Sequence, residues 1–437
     1  MDESRLRSSI LLRMFIVAAL TLILLIPAVI IESLIAERQQ RRDSVMKEVS
    51  DKWGREQIIA GPIVSIPFKK TVKDEKGKES TYIETLHLLP DSLNIDNALS
   101  TEIRYRGMYQ VVLYNSKATI SGLLSLSDIK KIERTDLVPQ WNDANIIVGI
   151  SDLRGVKENI VLNFGSQKYP AKSGVQSTEV VNSGITFTPE FSEATNEIPF
   201  SFTLDLNGSS ELQYLPLGKN TTVAMHSPWN SPSFIGEYLP ETKSIDTKGF
   251  SAHWRILELN RNFPQRWFGE KNTLYESSFG VRLLQTANEY QQTYRTAKYA
   301  ILIISLTFLS FFLSEVIGKE LLHPVHYTLV GLALLMFYIL VLSLSEHLGF
   351  DAAYIISSLS ILLLVILYTR SVVANKRVSH IVGGIILVLY IFLYIVLQLE
   401  DFALLIGSIG LLFILSAVMY LTRKINWFSV GSSENPA

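Results

Sequence analysis

Apolar and polar positions follow two different periods along this chain, and the change of period divides it. Five apolar runs fill the last third: Ala297 to Ile317, Tyr327 to Ser345, Ala352 to Thr369, Ile381 to Leu399 and Phe402 to Leu421. Each holds about 18 to 21 residues, which at about 1.5 Å per residue matches a hydrocarbon slab of roughly 30 Å. Charges stand only at their ends, so the runs predict membrane-spanning helices rather than the buried helices of a soluble core. A further run, Ile10 to Ile35, is apolar except for Arg13 and Glu32. It is longer than a secretory leader and lacks a small-residue cleavage pattern at Leu34-Ile35-Ala36-Glu37. That predicts a retained anchor whose Arg13 snorkels to the near interface.

Between these two blocks the period drops to two. From about Arg55 to Asn288, β-branched and aromatic residues alternate with polar ones, as in Tyr109 to Tyr114, Ile146 to Ile150, Phe200 to Leu206, Thr221 to Met225 and Phe279 to Leu284. Turn residues punctuate the runs at Asp74 to Gly77, Pro90-Asp91 and Asn207-Gly208. The pattern predicts a mostly antiparallel β domain, sandwich-like and large enough to bury its own core. Arg38 to Trp53 reads as a helix leaving the membrane, and Gly165 to Gly184 as a long hairpin loop or a seam between subdomains. The expected fold is a membrane protein of six transmembrane α-helices, one N-terminal and five C-terminal, with a large extracytoplasmic β domain. In residue numbers, 1–9 form a cytoplasmic N-terminus, 10–35 the first span, 36–296 the β domain, 297–421 the five-helix region and 422–437 a cytoplasmic tail.

Charge sets the expected orientation. Lys319 follows the second span, Arg370, Lys376 and Arg377 follow the fourth, and Arg423 with Lys424 follows the sixth. The alternate loops carry only acids: Glu346 and Asp351, then Glu400 and Asp401. Cations gather on the cytoplasmic side of short loops, so both termini of this multi-pass chain are expected there and the β domain outside. Arg38, Arg41, Arg42 and Lys47 fall on the outer side, where long translocated segments obey the rule poorly. Residues 36–296 carry 30 Lys and Arg against 31 Asp and Glu, so no basic field points to nucleic acid. Cysteine is absent, which excludes disulfides, thiolate nucleophiles and cysteine-bound metal.

Candidate chemistry is sparse. Ser44-Val45-Met46-Lys47 and Ser127-Asp128-Ile129-Lys130 fit S-x-x-K, but no S-D-N or K-T-G accompanies them, and no G-x-S-x-G, H-E-x-x-H or Walker loop occurs. His87, His226 and His253 lie far apart along the β domain; they could converge in the fold, but isolated histidines are more often surface or hydrogen-bonded core residues. His323 and His326, at i and i+3 beyond Glu315, resemble a partial metal set, although Pro324 favours a helix start in an interfacial loop. Glu346 and His347 belong to the opposite membrane face. No ionisable group falls inside spans three to six, and the small residues there, including Ser357, Gly383, Gly407 and Gly410, read as helix-packing positions. The loop from His226 to Pro240 sets Trp229 and Phe234 among prolines, which suits a partner surface or a core-covering loop. No catalytic, cofactor or metal site is assigned.

Five stretches carry a family resemblance: Gly61 to Pro67; Ser227-Pro228-Trp229 with Ser233-Phe234-Ile235-Gly236; Gly249 to Trp254; Tyr294 to Ser305; and His323-Pro324 through Glu346-His347. With them the chain resembles the CreD family of bacterial inner-membrane proteins, described as cell-envelope integrity or colicin-tolerance proteins. The resemblance implies a large periplasmic domain and a role in envelope stress and in responses to β-lactams or colicins. It names no catalytic or ligand-binding residue. Three functions follow as expectations: a non-enzymatic protein contacting the bilayer and a periplasmic, cell-wall or membrane-protein partner; a transporter or lipid-handling protein with Glu346 and His347 at its outer mouth; and an enzyme using His226, Ser227 and His253.

Overall fold

The computed structural model describes residues 10–73, 79–126, 137–176, 178–191, 197–269, 274–283, 289–318, 322–373, 376–399 and 402–423. Outside them lie the turn at Asp74 to Gly77, the Ser127 to Lys130 motif, and the loop charges Lys319, Glu320, Glu400, Asp401 and Lys424. The chain divides into two compact units, residues 1–42 with 287–437 and residues 43–286.

The first unit is helical. Helix α1, Ile10–Trp53, runs without interruption from the first apolar stretch into the following polar one. Helices α2 (Glu289–Lys298) and α3 (Ala300–Gly318) meet at a bend of 41°. They are followed by α4 (Pro324–Leu348), α5 (Phe350–Val372), α6 (Lys376–Gln398) and α7 (Ala403–Thr422). Five of these are long and apolar enough to cross a membrane, and six if the bent pair counts as one crossing. The bend falls at the start of the expected second span, Ala297 to Ile317, most of which is the continuous helix α3. At the break, Tyr299 N bonds Thr296 O (3.1 Å) and Leu302 N bonds Tyr299 O (3.1 Å). These three-residue steps tighten the backbone and turn its axis.

Glycines set the helix spacing at some positions, though a Cβ on Gly384 or Gly407, both read as packing positions, would meet nothing within 4 Å. A Cβ on Gly331 of α4 would stand 2.2 Å from Leu24 Cδ1 of α1, and one on Gly383 of α6 would stand 2.5 Å from Ile366 Cγ1 of α5. The bundle interior is richer in hydroxyls than expected. Tyr338, Tyr354 and Tyr390 gather around Phe337, whose ring centre is 4.6 Å from that of Tyr390 and 5.3 Å from that of Tyr354. Tyr354 donates to the Tyr390 carbonyl (2.8 Å). The hydroxyls of Tyr338, Tyr390 and Ser357 are buried without a hydrogen-bond partner among the described residues.

The second unit is two β-sheets on one core. The eight-stranded sheet runs, in spatial order, Thr242–Asp246, Gly249–Leu257, Asn220–Ser227, Ser92–Arg106, Tyr109–Ser125, Glu197–Ser209, Val161–Phe164 and Gln167–Pro170. All its pairings are antiparallel except Asn220–Ser227 with Ser92–Arg106. Along Glu197–Ser209 burial alternates residue by residue, the signature of one face on a core and one on solvent. The ten-stranded sheet centres on Gln57–Lys73, which pairs with Glu79–Leu88, Asn145–Ile150 and Glu211–Tyr214.

Aromatic contacts join the sheets into a sandwich. Phe187 meets Phe202 at 5.9 Å, and Trp254 meets Phe279 at 5.7 Å, each pair taking one ring from either sheet. The stretch from Gly165 to Gly184 is no subdomain seam. It forms the outer hairpin strand Gln167–Pro170 and the short strand Lys172–Ser173, then a connection back to Gly184–Phe187.

Candidate functional site

The outer face of the eight-stranded sheet is polar by construction. Strand pairing places Ser244 opposite Ser251, Ser251 opposite His226, His226 opposite Ala98, and Ala98 opposite Lys117, so these side chains form one row on the solvent face. The next row contains His253, opposite Ala224. His226 and His253, far apart along the chain, are therefore diagonal neighbours on paired strands. Register, which the sequence does not display, brings them together.

A cleft of about 590 Å³ opens on this face, lined by Ser100, Asn115, Lys117, His226, Ser244, Lys248 and Ser251 among others. Asp246 also borders it, but its carboxylate accepts the Lys248 backbone N–H (2.7 Å) and closes the turn. Among the described residues neither Lys117 nor Lys248 forms an ion pair. The cleft thus presents two ammonium groups, an imidazole, hydroxyls and an amide. Such a surface can bind polar or anionic groups by charge-assisted hydrogen bonds.

The proposed trio of His226, Ser227 and His253 does not assemble. Ser227 alternates to the buried side of the strand, where its hydroxyl accepts from Trp229 N (3.2 Å). The aromatic loop also turns inward rather than offering rings to a partner. Phe234 packs edge-on against Phe250 (6.0 Å) and Trp254 (5.7 Å). Trp229 is half-buried against the core and donates to Ser231 O (3.1 Å).

A hydroxyl, an imidazole and a carboxylate do meet elsewhere. Ser65 and His87 sit opposite each other on paired strands, with Ser65 Oγ 2.9 Å from His87 Nδ1 and His87 Nε2 3.0 Å from Glu179 Oε2. An ionised Glu179 only accepts, so the fitting tautomer carries its proton on Nε2 and takes the Ser65 proton at Nδ1. The sequence showed each residue singly; only the pairing and the return of 178–179 over the sheet unite them. This is the relay order of a serine nucleophile, but Ser65 is 1% exposed and His87 is fully buried, so a substrate carbonyl has no approach to the hydroxyl.

Burial holds the His87 pKa below its ordinary value, against the upward pull of Glu179. The neutral form is therefore the folded form. Its contribution to stability is complete above the unfolded value of about 6.5 and declines as pH falls below it. Thermal midpoints of the full chain in detergent should therefore drop with acidification between about pH 7 and 5, and His87→Gln should flatten that slope. Identical slopes would contradict the assignment.

The helical unit carries the remaining candidates at its helix ends. His323 caps α4, its Nδ1 accepting from Val325 N (3.3 Å), and His326 Nδ1 lies 2.8 Å from Tyr368 OH. Glu315 joins neither. It accepts Arg13 Nη1 (2.7 Å) and Tyr327 OH (2.9 Å), so the carboxylate that resembled part of a metal set sits in an ion pair instead. No group of three His, Cys, Asp or Glu side chains able to hold a metal occurs among the described residues. Arg13 is tied to Glu315 and is 23% exposed. At the other end of α4, Glu346 accepts from Tyr290 OH (2.9 Å), over whose ring Arg42 lies at 5.4 Å, while His347 is exposed.

Apolar helices grouped at both ends of the chain, with a sheet sandwich between them, define a multi-pass membrane protein carrying one large β domain. The family model described as "Inner membrane protein CreD" matches residues 9–428. "Inner membrane protein CreD" of Escherichia coli (strain K12) is 30% identical over 97% of this chain and 95% of its own length. The chain belongs to the CreD family of inner membrane proteins.

Proposed function

We propose that this protein supports the integrity of the cell envelope, under stress or antimicrobial challenge, through non-covalent contacts of its β domain and without catalysis. The observation that carries this reading is the open polar cleft around His226, Lys117 and Lys248 on the solvent face of a sheet whose other face is core. A sheet face held rigid by two-sided strand pairing is a stable platform for recognition. The absence of catalysis is inferred from two features: His226 has no hydrogen-bonded carboxylate or hydroxyl among the described residues, and the Ser65 hydroxyl is sealed. In this reading both termini face the cytoplasm and the cleft faces the periplasm, as the alternation of loop charges favours.

One experiment tests orientation and cleft together. The chain has no cysteine, so Ser251→Cys gives a unique thiol on the cleft wall. In cells with an intact inner membrane, a membrane-impermeant maleimide should label it and reproduce the envelope phenotype of deleting the chain. Labelling only after inner-membrane lysis would overturn the orientation. Complete labelling with full function would overturn the cleft.

A further inference from the structure

Helix α7 is nearly bare: no residue of its apolar window is buried, and Leu404 and Phe413 are 87% and 72% exposed. It approaches α6 closely at Gly410, where an added Cβ would lie 2.3 Å from the Phe392 ring. Three residues earlier, almost one turn away, a Cβ on Gly407 would meet nothing within 4 Å. The missing side chain opens a slot of about 380 Å³ between α3, α6 and α7, walled by Leu302, Leu306, Phe392, Val396 and Leu411.

The slot ends at the α2–α3 bend, where Lys298 and Tyr299 close it. Lys298 is exposed, its Nζ 4.7 Å from the centre of the Tyr294 ring, and it pairs with no carboxylate among the described residues. Apolar walls at membrane depth, open to the bilayer, admit an acyl chain and exclude polar solutes. The exposed Lys298 ammonium at the mouth favours a negative headgroup. We propose that the slot binds one acyl chain of an anionic phospholipid, with its phosphate on Lys298.

The site is separate from the β-domain cleft, and its test does not depend on that reading. The full chain is equilibrated with mixed phosphatidylglycerol and phosphatidylcholine vesicles, extracted, and weighed with bound lipid by native mass spectrometry. Wild type should retain phosphatidylglycerol in preference to phosphatidylcholine. Lys298→Gln should reduce that preference about fivefold, the share of one cation near a charged surface. Gly407→Phe should fill the slot and abolish retention of both lipids. Leu411→Trp, which narrows the slot without altering a glycine, should do the same if Gly407→Phe fails to fold. Equal retention of the two lipids by wild type, unchanged retention by the slot-filling variants, or a lipid-free dimer whose contact Gly407→Phe abolishes would overturn the proposal. The last outcome would assign the slot to a second copy of this chain.

Discussion

Replacing Glu315 by leucine is expected to destabilise the helical unit by about 3–5 kcal/mol, the cost of stranding one member of a buried ion pair. The Glu315 side chain is 4% exposed and Arg13 23%, so water screens the pair little. Arg13 cannot shed its charge, and in Glu315→Leu it would lose the carboxylate that offsets that charge within the helical unit. Arg13→Leu should cost less. The stranded carboxyl keeps its bond from Tyr327, whose ring is wedged between Phe308 (5.4 Å) and Phe311 (5.9 Å). The double leucine variant should recover most of the loss, because well-packed apolar residues replace buried pairs at little cost. Thermal midpoints of the detergent-solubilised chain read the order directly. Equal losses from both single variants, with no recovery in the double, would show that the pair does not act as a unit.

Trp254→Ala should cost the β domain about 3–5 kcal/mol. Trp254 is 1% exposed and touches Phe234 (5.7 Å) from the edge of the opposing sheet and Phe279 (5.7 Å) from the strand beside it, so it fills the gap between layers. Its indole N–H donates to the Tyr238 carbonyl (3.2 Å) and so anchors the loop behind Phe234. Trp254→Phe keeps most of the volume but leaves that carbonyl unpaired, a smaller loss of about 1–3 kcal/mol. Limited proteolysis of the full chain should cut faster within residues 229–240 in both variants, more so in the alanine one. A resistant loop in Trp254→Ala would contradict the anchoring role.

Much of this architecture was legible in the residues. Period and length identify the apolar helices and the strands because each element needs one repeating pattern to bury a face. The bend at the start of the second span was not legible: no proline or glycine marks it at Tyr299, and it arises from local three-residue hydrogen bonds. Site geometry was less accessible still. His226 and His253 are adjacent because of strand register, and Ser65 meets His87 across a hairpin 22 residues apart in sequence. Trp229 and Phe234 among prolines left a partner surface and a core-covering loop both open, and in a sandwich the favourable place for such rings is the gap between sheets. The partner of Arg13 was hidden because it lies 302 positions away.

The most direct test of a recognition cleft that works without a catalytic serine compares two variants in cells lacking the chromosomal copy. Lys117→Glu with Lys248→Glu reverses the charge of the cleft at two exposed positions and leaves the core untouched. Ser65→Ala removes the buried hydroxyl beside His87. The charge-reversal variant should reach wild-type levels in the membrane and fail to relieve the envelope phenotype, while Ser65→Ala should relieve it fully. Restoration by the charge-reversal variant together with failure of Ser65→Ala at normal abundance would contradict the cleft and place the function at the Ser65–His87–Glu179 array.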